Sequence, residues 1–215
     1  MKNYIDTHQE KIIDTPGGKL CQVIGKDNKA SCSVALVNMD AKSKGIKHFH
    51  DNITEIYIFT IGDGSIFINE NENIINDGDC FIIPPNTSHY IETKTNMSFL
   101  CICTPPWEEQ HEFEINEIHT GKNILKNNSE GILQILGNDT DHNIKRIKIT
   151  DKFTPNYNMK KYTRIYYIIN GNGIIKNNEE VVNIGPNDCL KFDLENETVV
   201  ANKELEFILI CDKIV

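Results

Sequence analysis

Residues 45–64 read GIKHFHDNITEIYIFTIGDG. His48 and His50 are two apart, and in a strand such residues leave on the same face, so two imidazoles can point at one place. Glu55 follows the turn-like DNIT and can return on the neighbouring strand. Beyond it runs a β-branched and aromatic segment closed by Gly62-Asp63-Gly64. A third imidazole comes from GDCFIIPPNTSH, residues 78–89, where a turn at Gly78-Asp79, a buried strand and a second turn at Pro84-Pro85-Asn86 lead to His89. Two histidines in a strand are ordinary; three imidazoles and a carboxylate form a donor set that leaves one or two positions open on a five- or six-coordinate ion, as catalysis requires.

The rest of the chain has the same texture. Segments of four to eight residues rich in Ile, Val, Tyr and Phe recur, broken by Gly, Asn, Asp and Pro, and no long 3.6-residue periodicity competes with them. This predicts an all-β protein of sandwich or barrel type. Residues 54–81 align with 163–190 at a constant offset of 109, with eleven of 28 positions identical, among them the Gly62/Gly64 and Gly171/Gly173 turns and the pairs Asp79-Cys80 and Asp188-Cys189. CQVIGKD at 21–27 is likewise echoed by LQILGND at 133–139. The chain is therefore a duplication of a β unit of about a hundred residues, with expected domains 1–116 and 117–215 and PPWEEQHEFEINEIH, which has room for a helical turn, as the linker.

The two motifs carry a family resemblance. His48, His50, Glu55 and Gly62 resemble the first cupin motif, G-x5-H-x-H-x3,4-E-x6-G, and Gly78, Pro84 and His89 the second, G-x5-P-x-G-x2-H-x3-N. The chain departs from the pattern at the leading glycine, which stands at 45, at Asn86 in place of Gly, and at Thr93 in place of Asn; none is a ligand position, and Asn tolerates a left-handed turn. The resemblance implies two tandem cupin-type barrels of jelly-roll (double-stranded β-helix) form. It also implies one divalent transition metal, Fe, Mn, Ni or Zn, on His48, His50, Glu55 and His89. At the offset of 109 these four fall on Tyr157, Met159, Arg164 and Thr198, so the second cupin is expected to keep the scaffold without the metal, its Arg164, Tyr157 and Tyr166 being at most a grip for an anion.

Composition excludes several classes. With 39% hydrophobic and 25% charged residues the chain is an ordinary globular one; its net charge of −9 and lack of a basic cluster argue against nucleic-acid or membrane-surface partners. No apolar run approaches a bilayer span and the first residues are charged, so a cytoplasmic protein is expected. Seven cysteines without a CxxC, mostly inside apolar runs, read as reduced and buried; Cys101 and Cys103 stand out because alternation points both to one face. The other histidines, His8, His111, His119 and His142, match neither motif. Pro105-Pro106-Trp107 suits either a lid or a cap of the barrel.

The expected partner is a small polar organic molecule, in a pocket to which Tyr57 and Phe59 contribute by alternation with Glu55. With Fe, Mn or Ni the resemblance implies a dioxygenase-type metalloenzyme; with Zn or Mn as a Lewis acid, a sugar or sugar-phosphate isomerase or epimerase; without turnover, a metal- or metabolite-binding cupin. Tandem barrels are compatible with a monomer, and exposed sheet edges with a homodimer.

Overall fold

Thr54–Ile61, the apolar strand that follows the histidines, is buried from Glu55 to Thr60 and lies near the middle of a seven-stranded sheet. In the computed structural model, which describes residues 4–6, 12–15, 18–25, 31–115, 125–128, 143–155, 163–177, 180–193 and 196–212, the sheet runs Leu125–Asn128, Asp79–Ile83, Thr54–Ile61, Met97–Thr104, Ser33–Met39, Gly18–Ile24, Ile12–Thr15. A five-stranded sheet runs Glu112–Glu114, His48–His50, His89–Thr93, Gly64–Ile68, Asn71–Ile75. Their inward residues form one core: Tyr57, Phe59, Phe81 and Phe99 from the larger sheet meet Ile66, Ile68, Ile75 and Ile91 from the smaller. Phe59 crosses Phe81 edge-on at 5.9 Å and tilts against Phe99 at 5.1 Å, the geometry in which ring edges face ring clouds.

The chain divides into two compact units, residues 11–129 and residues 1–10 with 130–215. The strand Leu125–Asn128 pairs with Asp79–Ile83 in the first, while Tyr4–Asp6 pairs with Asp188–Asp193 in the second. The second unit has one seven-stranded sheet, in which Tyr4–Asp6, Asp188–Asp193, Thr163–Lys176, Thr198–Asp212 and Asn143–Ile149 lie in that order, with Lys152–Phe153 and Val181–Ile184 pairing off it. Its two long strands each correspond to a pair of strands in the first unit, and Tyr166, Ile168, Leu190, Phe207 and Leu209 build its core. All-β architecture and duplication are thus both visible in the backbone. PPWEEQHEFEINEIH supplies a 3-10 turn at Glu109–His111 and then the edge strand Glu112–Glu114. Among the described residues no helix is long and apolar enough to cross a membrane.

The glycine turns are duplicated down to their dihedrals. Gly62 has φ of +102° and Gly171 of +86°, and a Cβ on either would collide with a backbone carbonyl, that of Asn96 or of Glu204. Each turn lets its strand swing from one part of the barrel to the next, and only glycine meets both demands. Gly62→Ala and Gly171→Ala are each expected to destabilise the protein by about 1–3 kcal/mol in denaturant unfolding.

Candidate metal centre

Sheet register assembles the donors. His48 and His89 are directly paired across antiparallel strands of the five-stranded sheet, and His50 follows His48 by one pleat. Glu55, second residue of Thr54–Ile61, projects from the other sheet. Three imidazoles from one sheet therefore meet a carboxylate from the other at one end of the barrel. Their Nε2 atoms lie 3.8 Å (His48), 3.3 Å (His50) and 2.7 Å (His89) from Glu55 Oε2, and the ligating atoms of His48, Glu55 and His89 are all within 4.8 Å of one another.

Each ring is oriented from behind. His48 Nδ1 lies 2.9 Å from the Ile46 carbonyl, His50 Nδ1 3.2 Å from that of His111, and His89 Nδ1 3.0 Å from that of Thr87. A carbonyl can only accept, so each Nδ1 carries the proton and each Nε2 offers a lone pair inward, the arrangement that ligating histidines adopt. The turn predicted at Asn86 serves the same end. Asn86 has φ of +60°; its N–H donates to the His50 carbonyl at 2.6 Å and its side-chain amide to the Asp51 carbonyl at 3.2 Å, tying the approach of His89 to the His48–His50 strand. Thr93, the other motif departure, accepts from the Ser43 amide and donates to the Asp40 carbonyl.

This set is a poor hydrogen-bond network and a good cation cradle. His50 Nε2 and Glu55 Oε2 are buried and have no hydrogen-bond partner among the described residues, although 3.3 Å apart: a lone pair faces a carboxylate oxygen. Such unmet groups are destabilising by about 1–3 kcal/mol each, and only something positive between them removes the conflict. A proton can serve one ring but not all. Burial opposes a charge on His50, yet Glu55 outweighs it and the pKa is raised; burial and the adjoining His89 ring lower His48 to about 4. For Glu55 burial pushes upward, but His89 and His50 prevail and hold the carboxyl well below its ordinary value. A divalent cation would satisfy His48, Glu55 and His89 at once, so these residues fit the metal, and His50 stands beside that cluster with its Nε2 3.3 Å from Glu55 Oε2.

The two expected pocket residues take different places. The Tyr57 hydroxyl is 3.1 Å from His89 Nε2 and 3.3 Å from Glu55 Oε1, and burial followed by the Glu55 charge pushes its pKa well up, so it is a neutral phenol. Phe59 is fully buried in the core behind it. Cys101 and Cys103 do share a face, with sulfurs 3.7 Å apart beside Glu55. Sequence reasoning missed the role of His111: its ring bonds Asp51 at 2.8 Å, and its backbone carbonyl is the one that orients His50. Trp107 is held by its N–H to Ser33 Oγ and by its indole N–H to Glu112 Oε2. His8, His119, His142, Tyr157 and Met159 lie outside the described residues.

The second unit corrects one correspondence. The constant offset matches His89 with Thr198, but the sheet register does not: Gly64 pairs with Thr93 and Gly173 with Ala201, and Glu55 pairs with Cys103 and Arg164 with Cys211. The offset has fallen to 108 by this point, so Glu197 stands where His89 stands and Thr198 matches Tyr90. One residue fewer between Phe192 and Glu197 accounts for the shift. Arg164 and Glu197, both fully buried, form a two-pronged ion pair through Nε–Oε1 and a 2.8 Å Nη2–Oε2 bond, and Tyr166 donates to Glu197 Oε1 at 2.6 Å as Tyr57 does to Glu55.

Comparisons with known proteins bear on the family and the fold. A family model for the cupin domain matches residues 35–103. An uncharacterized protein of Methanocaldococcus jannaschii, MJ1618, is 32% identical over 117 residues, spanning 46% of this chain and 92% of that protein. The chain belongs to the cupin superfamily. Among solved structures this cupin is similar in fold to a point mutant of Bacillus subtilis oxalate decarboxylase OxdC, with a TM-score of 0.72, 12% identity and coverage of 99% of this chain and 77% of the other. It also resembles the E. coli protein YlbA, with a TM-score of 0.76, 10% identity and coverage of 97% and 89%. A third match is the putative glyoxylate-induced protein of Pseudomonas aeruginosa, with a TM-score of 0.71, 12% identity and coverage of 94% and 83%.

Breaking the buried pair of the second unit strands a charge. Arg164→Met is expected to destabilise the protein by about 3–5 kcal/mol, and Arg164→Met combined with Glu197→Leu to restore much of the loss, both read from denaturant unfolding.

Proposed function

We propose that this cupin binds one divalent transition metal through His48, His50, Glu55 and His89 and acts with it on a small, oxygen-bearing organic molecule, as a metalloenzyme of dioxygenase type. The observation that carries the reading is the convergence of three imidazole lone pairs, each fixed by a carbonyl behind it, on a buried carboxylate oxygen with no hydrogen-bond partner among the described residues. Iron, manganese or nickel on such donors supplies redox chemistry with open positions for small oxygen ligands.

The chain's own groups do the rest. Tyr57 keeps its proton and can donate it in a hydrogen bond to an oxygen of the bound molecule, from a hydroxyl within 3.3 Å of both Glu55 and His89. Phe59, Phe81 and Phe99 close the barrel behind it and keep water from that side. His48 is the most exposed of the three rings, its side chain 16% accessible against 2% and 1% for His50 and His89, so the substrate enters along its edge. A small barrel of this kind holds at most one small ligand.

Protein purified without chelator is expected to hold about one equivalent of transition metal at the imidazole set, and His50→Ala or Glu55→Gln to lose about an equivalent by elemental analysis; metal retained in full by both variants would overturn the site. Metal at a hundred times its Kd should add about 2.7 kcal/mol of stability. Cation and proton compete for the same lone pairs, and Glu55 keeps His50 protonated to a higher pH than a free imidazole. Metal uptake therefore releases protons and weakens as pH falls toward and through the ordinary imidazole range, which titration calorimetry in buffers of different ionisation enthalpy would measure. Oxygen consumption with a panel of small carboxylate and hydroxylated metabolites tests the reaction; turnover of sugar phosphates without oxygen would replace the dioxygenase by an isomerase.

A further inference from the structure

Glu55 has two oxygens, and only one faces the imidazoles. Oε1 turns to its own sheet, where Cys101 Sγ lies at 3.4 Å and Cys103 Sγ at 3.8 Å, with the sulfurs 3.7 Å apart. Strand pairing fixes this triangle, since Cys103 stands opposite Glu55 and Cys101 opposite Tyr57 on the adjoining strand. Its edges are those of one face of a tetrahedral zinc site: Zn–S bonds of about 2.3 Å and a Zn–O bond of about 2.1 Å put two sulfurs about 3.8 Å apart and each about 3.6 Å from the oxygen.

The geometry points to a second cation site, formed by Cys101, Cys103 and Glu55 Oε1, that takes a thiophilic divalent ion such as zinc or cadmium and adjoins the imidazole set through Glu55 as a bridging carboxylate. Two thiol protons leave to solvent as two metal–sulfur bonds form, no electron moves, and the cation offsets the charge of both thiolates. Three protein ligands leave the fourth tetrahedral position to an external ligand, as open zinc sites do. The fold does not call for the first of these thiols: in the second unit, where Arg164 replaces Glu55, the residue matching Cys101 is Leu209, while Cys103 is matched by Cys211, and the strands pair in the same register. Cys101 is partly exposed, which gives the ion a way in. The inference goes beyond the proposed function and shares with it only Glu55.

The test is titration of the full, chelator-treated chain with cadmium alone, following the thiolate-to-metal charge-transfer absorption in the ultraviolet and the cadmium retained after desalting. Two equivalents are expected, one of them bringing the absorption band. Cys101→Ser with Cys103→Ser should lose the band and one equivalent, whereas His48→Ala with His50→Ala should lose one equivalent and keep the band. Failure of the imidazole site and failure of this one are thereby read separately. A wild-type protein with no band, or a band of full strength in the double cysteine variant and so arising from the other five cysteines, would overturn the proposal. Should the double variant melt early, Cys101→Ser alone, leaving one thiolate, is expected to cut the band at least twofold; an unchanged band would again overturn it.

Discussion

A carboxylate sealed between two β-sheets has to be matched by positive charge or directed protons, and Glu55 is only 3% exposed. Much of the first unit's local structure answers that demand. The pairing of His48 with His89, the Asn86 turn that holds their strands together and the return of the chain at His111 all place a ring or fix its tautomer. Stripped of those supports, the same four residues would be a buried charge with weak partners, since an unpaired ion in a barrel interior is among the costliest arrangements a core can contain.

The duplicated unit meets the same problem with other chemistry. Arg164 takes the place of Glu55 and Glu197 that of His89, so the acidic member moves from one sheet segment to the other and a guanidinium supplies the positive charge internally. Tyr166 keeps the position and manner of Tyr57, donating to the carboxylate. The scaffold thus accommodates either a donor set suited to an exchangeable cation or a permanent cation at the same spot. A permanent one has no vacant ligand position to offer a substrate, and this separates the two halves more sharply than the count of histidines does.

Legibility followed from which atoms carry the information. Period-two alternation made the joint projection of His48 and His50, and of Cys101 and Cys103, readable from spacing, and the glycine turns and Asp-Cys pairs disclosed the duplication. Asn86 was readable as a left-handed turn because few other residues sit there comfortably. The correspondence at His89 was not, because the single-residue shift lies where Glu197 and His89 share no chemistry for an alignment to hold, and only the ladder of paired strands reveals it. The contribution of His111 was equally hidden: it is made by a backbone oxygen, which every residue has. Cys101 and Cys103 were visible as a pair, but their nearness to Glu55 depends on cross-strand register rather than on sequence spacing.

The pairing of Tyr4–Asp6 with Asp188–Asp193 makes one unit an insertion within the other. On the ribosome the first of these strands precedes its partner by about 180 residues, so at about 5–20 residues per second it waits on the order of ten to forty seconds for a place in a sheet. The contiguous 11–129 unit can close in that interval. Order of synthesis therefore favours the unit that carries the imidazoles, and the interrupted unit closes only afterwards.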